Sequence, residues 1–400
     1  MDTDVLIVGA GPTGLALAIA LEKSGIPFRI IDAAAEPGTA SRAIAVAART
    51  LEFYDQFGFG SEVVAAGLKL DTPTIWHEGK KRGIIRFGDI GSDLSPHPYV
   101  LMYPQDAHER LLISHLHTQV ERPRALQSFT QNKTGITATL EDGEVIHAKY
   151  ICGCDGAHSK VRNSLGAGFP GGTYEDMFYV ADVDATSVAH SDEFYIFIQG
   201  RGFLLALPLP QKNRFRLIGV VPQDIQKPAD QIIFDDVAAQ VHENTPLDVT
   251  HVHWFSTYHV HHRVTEQFRH GRAFLLGDAA HIHSPAGGQG MNTGIGDAIN
   301  LGWKIAATLR GASDVLLDTY HAERHAFAEV LVKTTDRAFQ AVTGRNTLSR
   351  IFRGWVFPTA LPALMQFRAM RRLAFKTISQ TGIQYHASAL SEGRAGLKAG

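Results

Sequence analysis

The segment 277–292, with the sequence GDAAHIHSPAGGQGMN, concentrates residue types that can do chemistry: one carboxylate, two histidines, one proline and four glycines. The carboxylate of Asp278 can accept hydrogen bonds from a sugar-alcohol chain, and the glycines let a flat ligand approach the backbone closely. An apolar-periodic helix begins at about Met291, and the unpaired N–H groups at its start favour an electron-rich ring. The hydrophobic strand 273–276 leads into the segment. This combination suits a reduced flavin.

A second motif places Gly9, Gly11 and Gly14 in the spacing GxGxxG directly after an apolar strand. In such a turn the first glycine permits the tight bend, the second admits a pyrophosphate, and the third lets the next helix pack on the sheet. Asp32 ends the following strand, where a ribose-binding carboxylate is expected. The motif predicts dinucleotide binding but does not separate NAD from FAD.

A third motif, Asp155-Gly156 followed by Ser159, comes directly after the strand 149–152. An Asp-Gly pair at a strand end with a serine three residues later is typical of an N-capped helix start. Taken alone, the motif is equally compatible with an ordinary connection between a strand and a helix.

The elements around the motifs follow two patterns along the chain. Strands and apolar-periodic helices alternate over 1–172 and 269–345, which predicts one discontinuous, Rossmann-type cofactor-binding domain. Short alternating strands over 173–268 predict an inserted antiparallel-sheet substrate domain, to which 68–100 contributes. A helical segment is expected over 346–400. The predicted fold class is therefore α/β, with an antiparallel insertion and C-terminal helices.

The composition excludes several classes of protein. The 400 residues are 44% hydrophobic, and 38 basic residues nearly cancel 40 acidic ones, so affinity for nucleic acid is not expected. No apolar run is long enough for a membrane span, and a strand close to the N-terminus leaves no room for a signal peptide. Cys152 and Cys154 are poorly spaced for a disulfide, so we expect a reduced, cytoplasmic protein.

Together the motifs resemble the single-component FAD-dependent aromatic hydroxylases, the para-hydroxybenzoate hydroxylase-like family, and most closely its phenol and polyketide hydroxylase branch. The resemblance rests on 9–14 (GAGPTG), on Asp155-Gly156 with Arg162, and on Gly277-Asp278 with Pro285 and Asn292. Further matching pieces are 41–43 (SRA), 104–106 (PQD), 262–264 (HRV) and 297–304 (DAINLGWK). Members of the closest branch often carry a further thioredoxin-like domain after the region that this chain matches.

The resemblance implies a role for each matching residue. The residues expected at the FAD are Gly9, Gly11 and Gly14 (pyrophosphate), Asp32 (adenosine ribose), Arg42 and Gln105 (flavin or ribityl-phosphate chain), Asp155 and Gly156 (FAD and the transient NADPH or NADH), Gly277 and Asp278 (ribityl chain), and Gly290, Met291 and Asn292 (pyrimidine end of the flavin). Pro285 would lie at the reactive edge of the flavin, near the substrate. His283 is the candidate catalytic side chain beside it, although a histidine in such a loop is more often structural.

The implied activity is that of an NAD(P)H-dependent flavoprotein monooxygenase. NADPH or NADH would reduce the FAD, and a flavin C4a-hydroperoxide formed with O2 would deliver one oxygen atom to an aromatic, phenolic or polyketide-type substrate. Two alternatives remain open: a Baeyer–Villiger or epoxidising monooxygenase on the same scaffold, and an FAD-binding module without turnover. The alternating strands 194–197 and 203–207 could line the substrate cavity, although ordinary core packing is favoured for them.

Two clusters outside the motifs permit other interpretations. Five histidines lie close together: His251, His253, His259, His261 and His262. They permit a metal pair, but no carboxylate or cysteine joins them at ligand spacing, so no metal site is expected. Residues 337–391 contain no acidic residue. A membrane-surface helix is possible there, but packing on the cofactor domain or a homodimer contact is favoured.

Overall fold

The computed structural model describes residues 1–38, 43–70, 72–77, 79–85, 91–187, 193–199, 202–284, 288–344, 347–386 and 388–391. These residues form a mixed α/β fold, as predicted, with sheets of seven, eight and three strands in the described part of the chain. In chain order the strands are β1 (Thr3–Val8), β2 (Phe28–Ile31), β3 (Ala45–Val46), β4 (Leu68–Leu70), β5 (Pro73–His77), β6 (Lys80–Ile84), β7 (Val100–Met102), β8 (Leu126–Gln131), β9 (Ile136–Leu140), β10 (Val145–Gly153), β11 (Gly171–Ser187), β12 (Phe194–Gln199), β13 (Gly202–Pro208), β14 (Arg214–Val220), β15 (Leu247–Val264), β16 (Arg269–His270), β17 (Ala273–Leu275) and β18 (His281–Ile282). The α-helices are α1 (Pro12–Lys23), α2 (Ala48–Phe57), α3 (Gly60–Ala66), α4 (Gln105–Ser114), α5 (Lys160–Ser164), α6 (Phe234–Asn244), α7 (Gly290–Leu309), α8 (Asp318–Thr343), α9 (Thr347–Ile351), α10 (Leu361–Leu364) and α11 (Arg368–Ile378), with a π-helical stretch, Phe352–Ala360, before α10.

The first sheet positions the three motifs. Its central strands lie in the order β17–β10–β1–β2 and pair in parallel. These strands are apolar because both of their faces are covered; Leu6, Ile30, Ile151 and Phe274 are completely buried. The carboxyl ends of parallel strands meet at one edge, so the loops that follow β1, β10 and β17 lie side by side there. This sheet takes strands from both sides of the chain segment that forms most of the second sheet.

The second sheet has the strand order β18–β15–β11–β14–β13–β12–β5–β6. Strands β5 and β6, from the 68–100 region that was expected to contribute, join it through the parallel pairing of β5 with β12, and β18 pairs with the end of β15. One face packs on α6 through Tyr195, Phe197 and Leu204. The other face packs towards the three-stranded sheet β3–β7–β4 through side chains such as Leu207. Both faces of β12 and β13 therefore contribute to core packing, which is the favoured interpretation of their alternation.

The C-terminal helices pack against both halves of the fold. Helix α7 buries Ile295, Ala298, Leu301 and Ile305 at helical spacing and packs closely on α1. In α11, Phe375 is buried in a cluster that includes residues of α2 and β5. No helix among the described residues is both long and apolar enough to cross a lipid bilayer.

Candidate functional site

The glycine turn after β1 has two closely packed positions and one open position. A Cβ added at Gly9, where φ is +100°, would lie 2.4 Å from the carbonyl oxygen of Cys154. A Cβ at Gly14 would lie 1.9 Å from the carbonyl oxygen of Gly9. A Cβ at Gly11 would meet no described atom within 4 Å, and the backbone there is extended. Gly9 and Gly14 are therefore required by packing, whereas Gly11 leaves room for a ligand at the start of α1.

Asp32 lies beside the glycine turn, where the sequence places a ribose-binding carboxylate. Its Oδ2 accepts a 2.6 Å hydrogen bond from the N–H of Ala10, and its Oδ1 accepts one of 2.8 Å from Ala34. Arg122, which the sequence did not indicate, lies 3.3 Å from the same carboxylate and also donates to the carbonyl of Ala10. The carboxylate thus holds the turn in shape at the edge of the sheet.

Asp155 caps the short helix α5. It accepts hydrogen bonds from the hydroxyl of Ser159 at 2.5 Å and from the backbone N–H groups of Lys160 at 2.7 Å and Val161 at 3.1 Å. Burial raises the pKa of Asp155, although these hydrogen bonds oppose the rise. The predicted N-capped helix start is present, and Ser159 accepts from the N–H of Arg162. The contacts of Asp155 within the chain are those of a cap, which is the ordinary interpretation of this motif.

Arg162 connects the second loop of the site to the third. Its guanidinium is buried and donates to the carbonyl of Ala157 at 2.8 Å and to the carbonyl of Ala279 at 3.0 Å. Gly156, in the same loop, has φ +74° and meets no described atom within 4 Å of an added Cβ. The Asp-Gly loop is therefore fixed at both ends while its glycine faces open space.

The third loop begins with a turn at Gly277, where φ is +57°. An added Cβ at Gly277 would lie 2.7 Å from the hydroxyl of Thr13, so the turn packs directly on the glycine motif of α1. The next residue, Asp278, lies in a 3-10 turn and its side chain is exposed. The structure thus brings the predicted ribityl-binding acid next to the predicted pyrophosphate turn.

The first turn of α7 is fixed by the side chain of Asn292. Its Oδ1 accepts from the N–H of Ala47 and the hydroxyl of Thr50, each at 2.8 Å, and its Nδ2 donates to the carbonyls of Ala45 and Gly288, each at 2.9 Å. All four hydrogen-bonding positions of the amide are used within the chain. The sequence analysis placed the backbone of Asn292 at the cofactor. It did not predict that the side chain of Asn292 fixes the start of α7 to β3 and α2.

The start of α7 packs beside the glycine turn, since a Cβ added at Gly294 would lie 2.2 Å from the hydroxyl of Thr13. The N–H of Thr293 donates to the carbonyl of Gln289 at 2.9 Å. The N–H groups of Gly290, Met291 and Asn292 precede this bond and have no helical acceptor. They form a positive helix end of the kind that binds anions or electron-rich rings.

His283 presents a buried hydrogen-bond acceptor close to this helix end. Its Nδ1 lies 2.7 Å from the carbonyl oxygen of Ser284 and must therefore donate to it, which leaves Nε2 as the acceptor. Nε2 is buried and has no partner among the described residues; an added Cβ at Gly290 would lie 3.8 Å from it. Burial lowers the pKa of His283 to about 4, so the ring is neutral at pH 7.

Of the remaining predicted site residues, one lies in the described part of the chain and two lie outside it. Arg42 and Pro285 lie outside the described residues. Gln105 is the first residue of α4, and its side chain donates to the carboxylate of Glu109 at 2.8 Å. Burial raises the pKa of Glu109, and Asp32 adds to the rise.

A buried cluster lies behind the third loop, around Asp297, the first residue of the matching piece 297–304. Asp297 is completely buried and accepts from the N–H of Gly277 at 3.0 Å, from His281 at 2.7 Å and from Arg324 at 2.6 Å. The sequence offered two signals, the matching piece 297–304 and an acidic residue within the buried stripe of α7, but Asp297 was not assigned to the site. Its partners are far away in sequence, so the signals did not identify them.

A cavity of about 480 Å³ lies between α4 and the second sheet. Tyr103, Trp254 and Arg216 line it, together with Asp182. Arg216 is buried and forms two hydrogen bonds of 2.7 Å with Asp182. None of the described lining residues belongs to the three loops or to the strands 194–197 and 203–207, and several of them are charged.

Two of the five clustered histidines contact each other, and one of them pairs with an aspartate. The rings of His251 and His253 lie 4.5 Å apart, and His253 pairs with Asp184 at 2.7 Å. In the described ranges, no three His, Cys, Asp or Glu side chains are grouped so that they could hold a metal ion. Cys152 and Cys154 are buried free thiols.

Comparisons with known proteins show which family the chain is similar to. The profile of a FAD binding domain family matches residues 2–335. A rifampicin monooxygenase from Streptomyces venezuelae is 33% identical, with 96% of this chain and 79% of the relative covered. Pentachlorophenol 4-monooxygenase from Sphingobium chlorophenolicum is 32% identical, with 86% of this chain and 66% of the relative covered.

Solved structures are similar over nearly the whole chain. An anhydrotetracycline hydroxylase from Streptomyces rimosus has a TM-score of 0.75 at 32% identity and covers 96% of this chain and 77% of its own. A p-nitrophenol 4-monooxygenase from Pseudomonas putida has a TM-score of 0.83 at 22% identity, covering 94% of this chain and 98% of its own. The second similarity shows the fold alone.

Proposed function

The chain belongs to the FAD binding domain family and is an FAD-dependent monooxygenase, and from that premise we propose that it uses NADPH or NADH and O2 to hydroxylate an aromatic substrate of the phenolic or polyketide type. The resemblance to the phenol and polyketide branch of the aromatic hydroxylases is confirmed by these relatives. The substrate class, the reductant and the roles of individual residues are our proposals.

The observation that carries the proposal is the meeting of three loops at one edge of the parallel sheet. Gly11 offers an open backbone position, Asp32 lies beside it, and the turn at Gly277 packs on the same helix start. A dinucleotide bound there would place its pyrophosphate at α1 and its flavin towards the positive end of α7. The residues present therefore fit FAD. When bound, FAD supplies the redox chemistry, from hydride acceptance to activation of O2.

We assign the domains on the same basis. Residues 1–172 and 269–345 would bind FAD, because the three loops all belong to them. Residues 173–268, with strands β5 and β6 from the 68–100 region, would form the substrate side.

His283 is the side chain that we propose to contact the reacting groups. Its Nε2 is a neutral acceptor that cannot be protonated easily in its buried position, so it can accept a hydrogen bond from a substrate hydroxyl or a ring N–H. Pro285 follows two residues later and is proposed to lie at the same reactive edge. The first-turn N–H groups of α7 would stabilise negative charge on the flavin, at about 0.3–2 kcal/mol.

The test measures the oxidation of NADPH and NADH by the FAD-loaded protein in the presence of a panel of phenols and aromatic polyketides. The mass of each product is determined by mass spectrometry. The proposal predicts that at least one compound accelerates flavin reduction and gains one oxygen atom as a hydroxyl group. An ester or epoxide product would favour the Baeyer–Villiger or epoxidising alternative. FAD binding without any NAD(P)H oxidation would favour a module without turnover.

A further inference from the structure

Asp297 is the most enclosed carboxylate near the proposed cofactor loops, and all of its contacts are internal. The side chain of Asp297 is 0% exposed, and those of its partners His281 and Arg324 are each 1% exposed. Burial alone would raise the pKa of Asp297, but the charges of Arg324 and His281 outweigh it and lower the pKa. The residue is therefore a carboxylate that depends on its partners for charge balance.

One partner of this carboxylate is the backbone of the cofactor-facing turn. The N–H of Gly277 donates to Oδ2 of Asp297 at 3.0 Å, at a residue whose φ of +57° favours glycine. Asp278, the proposed ribityl-binding acid, comes next in the chain. The position of that acid thus depends on a hydrogen bond from the residue before it.

The second partner extends the contact to the start of α7. Arg324 donates through Nε to Oδ1 of Asp297 at 2.6 Å and through Nη2 to the carbonyl of Thr293 at 3.0 Å. The hydroxyl of Thr293 accepts a hydrogen bond from the side chain of Gln380 at 3.0 Å. The turn after β17 and the first turn of α7 are therefore joined by one buried ion pair.

A third contact reaches the C-terminal segment. Nη1 of Arg324 donates to the hydroxyl of Tyr385 at 2.9 Å. Residue 385 lies beyond α11, so the guanidinium is held by groups from two separate parts of the chain, α7 and the segment after α11. Each of its nitrogens has an assigned acceptor, as a buried arginine requires.

We propose that Asp297 is a positioning residue for FAD: with Arg324 and Tyr385, it sets the Gly277–Asp278 turn against the N-terminus of α7. The proposal rests on the proposed function, because it takes these two elements as the walls of the flavin site. In D297N, the amide nitrogen of the asparagine would replace one of the two carboxylate oxygens. It would then face either the N–H of Gly277 or the guanidinium of Arg324, both of which are donors. A donor would then face a donor, and the turn would lose its fixed position.

The chain offers a matched control in a neighbouring buried pair. Lys304 on α7 and Glu323 on α8 are 2.6 Å apart, and Glu323 also accepts from the hydroxyl of Ser388 at 2.7 Å. This pair joins the same two helices and the same C-terminal segment as the Asp297 group. None of the hydrogen bonds described for it reaches the turn at Gly277.

The experiment titrates each apoprotein with FAD, follows flavin fluorescence, and records the visible spectrum and reduction midpoint of the bound flavin. We expect D297N to raise the Kd for FAD at least about tenfold and to shift the spectrum or the midpoint. E323Q should leave the Kd within about twofold of the wild type, even where denaturant unfolding shows a comparable loss of stability. Equal increases in Kd for D297N and E323Q, or a wild-type Kd and spectrum for D297N, would overturn the proposal.

A milder pair of variants covers the case in which D297N does not fold. Y385F removes only the hydroxyl that Arg324 contacts, and S388A removes only the hydroxyl that Glu323 contacts. The Kd for FAD should rise about two- to fivefold in Y385F and stay unchanged in S388A; equal values in both variants would contradict the proposal. A wild-type protein that does not bind FAD would instead refute the proposed function, so the two failures are distinguishable.

Discussion

Replacing Gly11 by alanine separates cofactor binding from folding within a single motif. The backbone at Gly11 is extended, with φ −78° and ψ −177°, so alanine fits without strain. The added Cβ meets no described atom within 4 Å. We therefore expect G11A to fold as well as the wild type, or to be more stable by about 0.4–1 kcal/mol, because the unfolded chain loses freedom.

The same methyl group would occupy the space into which the pyrophosphate is expected to fit. Losing one charge-assisted hydrogen bond between a backbone N–H and a phosphate costs about 1.5–3 kcal/mol. That cost corresponds to roughly a ten- to hundredfold increase in the Kd for FAD. Fluorescence titration of the apoprotein measures the Kd, and urea unfolding of the same preparation measures the stability.

The matched variant is G14A, in which the added Cβ would lie 1.9 Å from the carbonyl oxygen of Gly9. Since a backbone atom cannot move aside cheaply, G14A should lose about 1–3 kcal/mol of unfolding free energy or more. The reasoning fails if G11A binds FAD as tightly as the wild type. It also fails if G11A is as unstable as G14A.

Two further perturbations test the start of α7 and the loop before it. N292A removes two buried and two partly buried hydrogen bonds of the amide and should lower the free energy of unfolding by about 2–3 kcal/mol, measured with urea. N292D keeps the two acceptor bonds but turns a carboxylate oxygen towards the carbonyl oxygens of Ala45 and Gly288, so it should also lose stability; a wild-type free energy of unfolding in either variant would contradict this account. Burial lowers the pKa of His283 in the folded protein to about 4, from its ordinary value of 6.5. Between pH 6.5 and pH 4 the unfolded chain therefore binds a proton at His283 that the folded protein does not bind. The free energy of unfolding falls as the pH is lowered through this range. Relative to H283Q, the wild type should lose about 1–2 kcal/mol between pH 7.5 and pH 5, and parallel pH profiles would show that His283 titrates normally.

The parts of the fold that the sequence predicted are those with local causes. β1 and β17 are apolar runs because a parallel sheet buries both faces, and their ends are marked by glycine motifs. The contribution of the 68–100 region to the antiparallel sheet was expected, but the particular pairing of β5 with β12 and the addition of β18 beside β15 were not, because the pattern of a short strand does not identify a distant partner.

The candidate site likewise contains residues that local spacing predicts and residues that only tertiary packing brings together. Gly9, Gly14 and Asp32 were placed correctly beside one another, because their spacing follows from one strand–helix–strand unit. Asp297 and Arg324 form one ion pair only after two helices and a turn have packed together, so no spacing rule identifies them. Their importance depends on tertiary structure alone.

The central claim is that the three loops hold FAD for oxygen transfer to an aromatic substrate. A single-turnover reaction of the FAD-loaded, NADPH-reduced protein with isotopically labelled O2 tests it most directly. The account predicts one labelled oxygen atom in a hydroxyl group of the product, formed with the most effective compound of the panel. Reoxidation of the flavin with all of the label recovered as hydrogen peroxide, for every compound that accelerates reduction, would contradict it.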